Sequence, residues 1–301
     1  MQHVPMSRSR RGFTLIELLV ALVLLGLVSA ATYRILVNNQ RLYMAQTQRI
    51  DLSQNIRAAG TILPAEFREL DAADGDITAM SATSISIRAM RWLGFACTPP
   101  VLGGALLGSS LVIRGGAPGL PAFYGARGIN NATDSMLIYY DGDQTSRLDD
   151  YWATGKILAA PNGQNCPDGT AGQRIVFDLN LLGVPGANKV GAITVGAPVR
   201  GFERVTYSLY QPAGDTSWYV GFQPAGQAMQ PLIGPVLTNG LTLSYFDANG
   251  VATAVRAQVA RIDITVRGRT AVAVRAGGQA ARRAAVDSIT TSVALRNNRR
   301  F

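Results

Sequence analysis

The sequence predicts an α+β fold, with one long N-terminal α-helix laid on a mainly antiparallel β-sheet. Three observations predict it. An apolar run of 19 residues, Phe13 to Ala31, carries Glu17 as its only charge. A helical period follows, with Leu52, Ile56, Ala59, Leu63, Phe67 and Leu70 at spacings of 4, 3, 4, 4 and 3. Beyond Asp71 the period falls to two, as in Ser84-Ile85-Ser86-Ile87-Arg88 and Val205-Thr206-Tyr207-Ser208-Leu209-Tyr210.

The apolar run comes first in the chain. As a helix it spans about 28 Å at ~1.5 Å per residue, close to a hydrocarbon core of ~30 Å. Arg8, Arg10 and Arg11 precede it, which orients the N-terminus toward the cytoplasm and exports the rest. Residues 13–33 therefore read as a membrane span. Glu17 inside it costs roughly 2.5–3.5 kcal/mol if placed centrally, less near an end. An intramembrane acid calls for a partner, yet no Lys, Arg or His occurs from Phe13 to Tyr33. The obvious partner is a new α-amino group, created by a cut between Gly12 and Phe13. An ordinary signal peptide would be cut after its apolar run, at small residues.

The stretch Gly12-Phe13-Thr14-Leu15-Ile16-Glu17 resembles the class III signal of type IV prepilins and type II secretion pseudopilins. The resemblance covers the first ~55 residues strongly. It implies that prepilin peptidase, a membrane aspartic enzyme, removes residues 1–12 and methylates the Phe13 amine. It implies further that Glu17 pairs with the amine of a neighbouring subunit during assembly. Many major pilins carry a kinking Pro in this helix; here Arg34 stands at that place.

The second half of the helix, to residue 70, is amphipathic. Its apolar face is expected to pack on the sheet, while the membrane half packs against other subunits. Gly60 and Pro64 interrupt the pattern, and a kink or restart is expected there.

Composition narrows the chemistry. The 301 residues suffice for one large or two small domains. Removing residues 1–12 takes away three Arg, which leaves 25 basic residues against 19 acidic. A basic exported surface attracts DNA, anionic lipid or acidic polysaccharide without specifying any of them. The one His, His3, lies in the leader, so the processed chain has no Ser-His-Asp or Cys-His machinery and no His-liganded metal. The chain reads as a non-enzyme, and no cofactor is implied. Cys97 and Cys166 fall on the oxidising side of the membrane, where a pair is usually a disulfide. Closing that loop stabilises by ~4 kcal/mol in the chain-entropy picture.

The head, residues 71–301, is read as β-rich. Ser217-Trp218-Tyr219-Val220-Gly221-Phe222 is the return strand of a hairpin after the turn at Pro212–Thr216. Further strands are expected at Ser135–Tyr140, Arg174–Leu179, Leu241–Phe246, Ala257–Val266 and Ser288–Leu295. Residues 101–128 carry eight Gly and no sustained period, so they read as a long loop or insertion. Asp141, Asp143, Asp149 and Asp150 lie close together, and such oxygen density could hold Ca²⁺; Asp141-Gly142-Asp143 is equally a plain turn. Arg275, Arg282, Arg283, Arg296, Arg299 and Arg300 gather near the C-terminus, as a solvated edge or a basic surface.

The stretch Pro231 to Gly250, with Tyr245-Phe246-Asp247, is similar to a segment of minor pilins of the PilW type and of the J-type minor pseudopilin. This resemblance, with the large head, implies a minor subunit in priming or at the tip of a type IV pilus. The residues leave a type II secretion pseudopilus open, and also a filament-tip protein that binds DNA or a surface ligand. The partners implied are prepilin peptidase, the inner membrane, and other minor pilins and the major pilin, met through the helix. The implied location is the bacterial inner membrane with a periplasmic head, then the pilus or pseudopilus.

Overall fold

A computed structural model describes residues 12–101, 103, 108–114, 124–125, 127–140, 145, 151–161, 163–178, 193–274 and 283–296. Helix α1 runs unbroken over Leu15–Arg68. At 54 residues it is about 80 Å long, given ~1.5 Å of rise per residue. From Leu52 onward one face is buried, comprising Leu52, Ile56, Ala59, Leu63, Pro64 and Phe67. The expected restart near Gly60 and Pro64 does not occur. Pro64 forfeits a single bond four residues from the helix end, and its buried ring joins the core face. Gly60 is a point of close approach: a Cβ there would sit 2.6 Å from Ile289 Cδ1.

The strands are β1 Ile77–Met80, β2 Ser84–Phe95, β3 Ser109–Arg114, β4 Tyr124–Gly125, β5 Asp134–Tyr140, β6 Tyr151–Ala159, β7 Gln164–Asn165, β8 Ala171–Phe177, β9 Pro198–Tyr210, β10 Trp218–Pro224, β11 Gln230–Phe246, β12 Arg261–Arg269 and β13 Val286–Ala294. Every described pairing is antiparallel. The α+β class expected from the sequence is therefore the class observed.

Strand β9 is the hub. It pairs with β2 along Pro198–Ser208, with β5 along Val199–Glu203 and with β10 along Val205–Tyr210. From it the sheet runs one way through β10, β11 and β12 to the edge strand β13. The other way it runs through β5, β6 and β8 to β3. The end of β2 then bridges back to β3 at Ala96 and Ile113, closing a ring of six strands.

Two cores follow from this path. The first lies between α1 and strands β2 and β9–β13, with Leu63, Phe67, Ile85, Ile87, Tyr207, Val220, Leu243 and Ile264 among its members. The second fills the ring: Trp92, Leu111, Ile113, Met136, Ile138, Ile157, Ile175, Phe177 and Val199 come from all six of its strands. Gly201 leaves the space in which the Trp92 indole crosses β9.

The ring corrects one expectation. Residues 101–128 are not all loop, because Ser109–Arg114 forms β3, with Leu111 and Ile113 fully inside. A short apolar stretch between glycines shows no period at that length, but burial on the ring interior recruits it. Strands β1 and β6 were likewise not expected. Strand β12 begins at Arg261 rather than at Ala257, since Arg256–Gln258 forms a 3-10 turn. Strand β11 starts eleven residues before Leu241, through Pro231 and Pro235, with its register shifting between Val236 and Leu241.

Cys97 and Cys166 form a disulfide, S–S 2.08 Å, and both are buried. It pins the end of β2 to the turn before β8, next to the point where the ring closes. Replacing both Cys by Ser is expected to lower the unfolding free energy by about 4 kcal/mol, the loop-closure figure for a separation of 69 residues. Urea unfolding of the full chain in detergent, followed by Trp fluorescence, would measure it.

Candidate functional site

The start of α1 is built by a reciprocal cap. Thr14 is the N-cap, with extended backbone at φ −81° and ψ 151°. Its hydroxyl accepts from the Glu17 N–H at 3.3 Å, and its own N–H donates to Glu17 Oε2 at 3.0 Å. The hydroxyl also lies 3.0 Å from Oε2, as a donor. The Thr-x-x-Glu spacing thus satisfies two backbone donors that a helix start leaves open. It also fixes the Glu17 carboxylate at the end of an apolar rod.

That rod is bare. Phe13 is 90% exposed, and Leu15, Ile16, Leu18, Leu22, Leu25 and Leu27 are all more than half exposed. By length and composition α1 can cross a membrane. Water is an unfavourable surrounding for so long a contiguous apolar surface. Such a surface fits cover by lipid or by other helices.

The sequence gives an independent marker at the same place. The chain carries a prokaryotic N-terminal methylation motif. The family model of that description matches residues 7–33. The motif supports the type IV pilin and pseudopilin class, a structural rather than catalytic family. It implies processing by prepilin peptidase and assembly with other pilins, and it fits membrane anchoring by this helix. No curated protein and no solved structure matches the chain.

The other end of α1 is held by charges that the sequence reading did not single out. Arg91 on β2 donates to Glu66 of the helix at 2.8 Å and to Glu203 of β9 at 3.1 Å. Arg127 reaches the same Glu203 at 3.2 Å and binds Asp134 at 2.6 Å. Asp134 is buried and also accepts from the Trp92 indole and the Asn130 N–H. Glu66, Arg91, Glu203, Arg127 and Asp134 form an alternating chain between the two cores. Burial works against the Arg91 charge, and the Glu66 and Glu203 carboxylates outweigh it, so its pKa is raised. Burial, with Glu66 alongside, holds the Tyr207 phenol protonated well above its ordinary range. Only an Arg in a strand and a Glu between apolar neighbours hint at this in the sequence.

The remaining predicted residues separate. Asp141, Asp143, Asp149 and Asp150 lie outside the described residues, as do Arg275, Arg282, Arg299 and Arg300. Among the described residues no group of three His, Cys, Asp or Glu is placed to hold a metal. Arg283 is exposed on a bridge to Val274. Arg296 instead joins the helix end: its N–H donates to Arg68 O at 2.8 Å, and its guanidinium meets Glu69 at 3.4 Å.

Two outcomes test how the helix is fastened. Arg91→Met removes the ion-pair partner of Glu66 and leaves Glu203 to Arg127 alone, in a poorly solvated place, and is expected to cost about 3 kcal/mol. Urea unfolding followed by Trp fluorescence would read it. Asp76, in the turn after α1, is buried, and its pKa is pushed up to about 6. Desolvation is the main cause. The Asp71 N–H, Arg200 and Arg88 oppose it, while the Asp71 charge adds to it. A raised carboxyl pKa means that the folded state holds its proton more tightly than the unfolded state. The contribution is full below about pH 4 and is lost as pH climbs to about 6. Asp76→Asn keeps an acceptor for the Asp71 N–H. It is expected to remove about 2 to 3 kcal/mol of stability change between these limits, relative to the parent.

Proposed function

We propose that the chain is a minor pilin of the PilW type, which helps to prime or cap a type IV pilus. The observation that carries this reading is the bare apolar half of α1, with the methylation motif and Glu17 at its start and a large fused head at its end. In this reading residues 1–12 are a leader, Gly12–Phe13 is the cleavage junction, and the Phe13 amine is methylated. Residues 13–33 cross the membrane and the head from residue 71 is exported. Glu17 then meets the amine of a neighbouring subunit. Its carboxylate is already aimed by Thr14, so docking exchanges one set of donors for a charged one.

The J-type minor pseudopilin of a type II secretion system is the second reading. The segment Pro231 to Gly250 favours it equally, as a long strand followed by the turn in which Asp247 accepts from the Asn249 and Val251 N–H groups. Pilus or secretion genes beside the coding sequence separate the two.

Glu17→Ala is expected to leave leader removal intact, read as the mass lost with residues 1–12. Assembly into filaments should fall by an order of magnitude or more, since an ion pair in a low-dielectric setting is worth about a few kcal/mol. Incorporation at the parent's level would refute the assembly role of Glu17.

A further inference from the structure

The membrane-proximal turns of α1 carry an unbalanced basic face. No Asp or Glu occurs between Glu17 and Asp51, while Arg34, Arg41 and Arg49 do. All three are exposed, and among the described residues none of them forms a salt bridge. Arg34, Asn38 and Arg41 stand at i, i+4 and i+7, which puts them on one side of the helix. The placement along the axis is equally specific. Phe13 to Tyr33 covers about 31 Å, so a hydrocarbon core of ~30 Å ends at Tyr33. Arg34 is then the first charge outside it. Arg41 stands about 10 Å further along the axis, and its long stem can reach back toward the surface. Tyr33, 68% exposed, sits at the depth that aromatic residues favour.

We propose that Arg34 and Arg41 form a binding face for anionic phospholipid headgroups of the leaflet into which the span emerges. The ligand chemistry is a lipid phosphate. Each guanidinium offers paired N–H donors to its oxygens, and Asn38 between them supplies a neutral donor. The inference rests on the membrane reading of α1. It adds that the anchor selects among lipids rather than only entering them.

The test uses the full chain in phosphatidylcholine vesicles containing a minority of phosphatidylglycerol. Co-flotation is measured first. Spin-labelled lipid then reports how much of each headgroup the protein restricts. The parent is expected to restrict phosphatidylglycerol several-fold more than phosphatidylcholine, with the preference shrinking as salt rises. R34Q/R41Q should float equally well and lose most of that preference. R34K/R41K should keep a large part of it. The leader arginines add the same background to every variant. Failure to float overturns both the membrane reading and this inference. Flotation with an unchanged preference in R34Q/R41Q overturns this inference alone. A variant that keeps the lipid preference but loses filament assembly assigns the face to an acidic protein partner, and this too overturns it.

Discussion

A single unbroken helix has to satisfy two surroundings, and the rest of the structure is arranged around that demand. Among the described residues, its large apolar side chains from Phe13 to Ile50, Val37 apart, are exposed. From Leu52 onward the same helix supplies one wall of the larger core. Leu63 and Phe67 have no exposed surface, and burial on this scale contributes about 1.5 to 3 kcal/mol per side chain. The buried half can therefore hold the rod in place while the bare half stays available. With no break between the halves, a load or a contact at Glu17 is carried along the same hydrogen-bonded rod into the head.

The junction of the two cores decides how rigid that link is. Strands β2 and β9 take part in both cores, so ionic groups between them are largely, though not wholly, withdrawn from water. Isolated charges there would be costly. The alternation of Glu66, Arg91, Glu203, Arg127 and Asp134 removes the cost by pairing each member with opposite neighbours. Glu66 belongs to the helix and Asp134 to the ring, so the network also fixes the angle between them. Apolar packing alone would tolerate sliding. Directional bonds at 2.6 to 3.2 Å do not.

Much of this could be read from the chain. The helix face Leu52, Ile56, Ala59, Leu63, Phe67 and Leu70 is buried residue for residue, because a 3.6 period over five turns has few alternative explanations. Strands with clean alternation, Ser84–Arg88 and Val205–Tyr210, are legible for the same reason, and Ser217–Phe222 is legible as the return from the turn before it. Strand β3 was hidden by flanking glycines and by its length of six residues. The first half of β9 was obscured because Gly201 and Glu203 break the alternation, one for the Trp92 indole and one for the ion chain. Pairing over long separations was not legible at all. Nothing near Arg91 in sequence announces Glu66 or Glu203, and nothing near Arg296 announces Glu69. At the functional end the reverse holds. The methylation motif is contiguous, so sequence exposed it and the fold only shows how bare it stands.

Two glycines stand where the buried half of the helix meets the sheet. Gly60 on the helix meets Ile289 of β13, and Gly268 on β12 meets Leu52 and Ile56, where a Cβ would lie 2.8 and 2.9 Å from their Cδ1 atoms. One glycine lies on each side of the same interface, and each leaves room for the ends of the facing aliphatic side chains. A side chain at either position would push those ends aside and disturb the packing near that point. Because the rod is some 80 Å long, a small tilt at the head becomes a displacement of several ångströms at Glu17. Close packing at the buried end is thus a condition for accurate placement of the charge at the bare end, although the two ends share no contact.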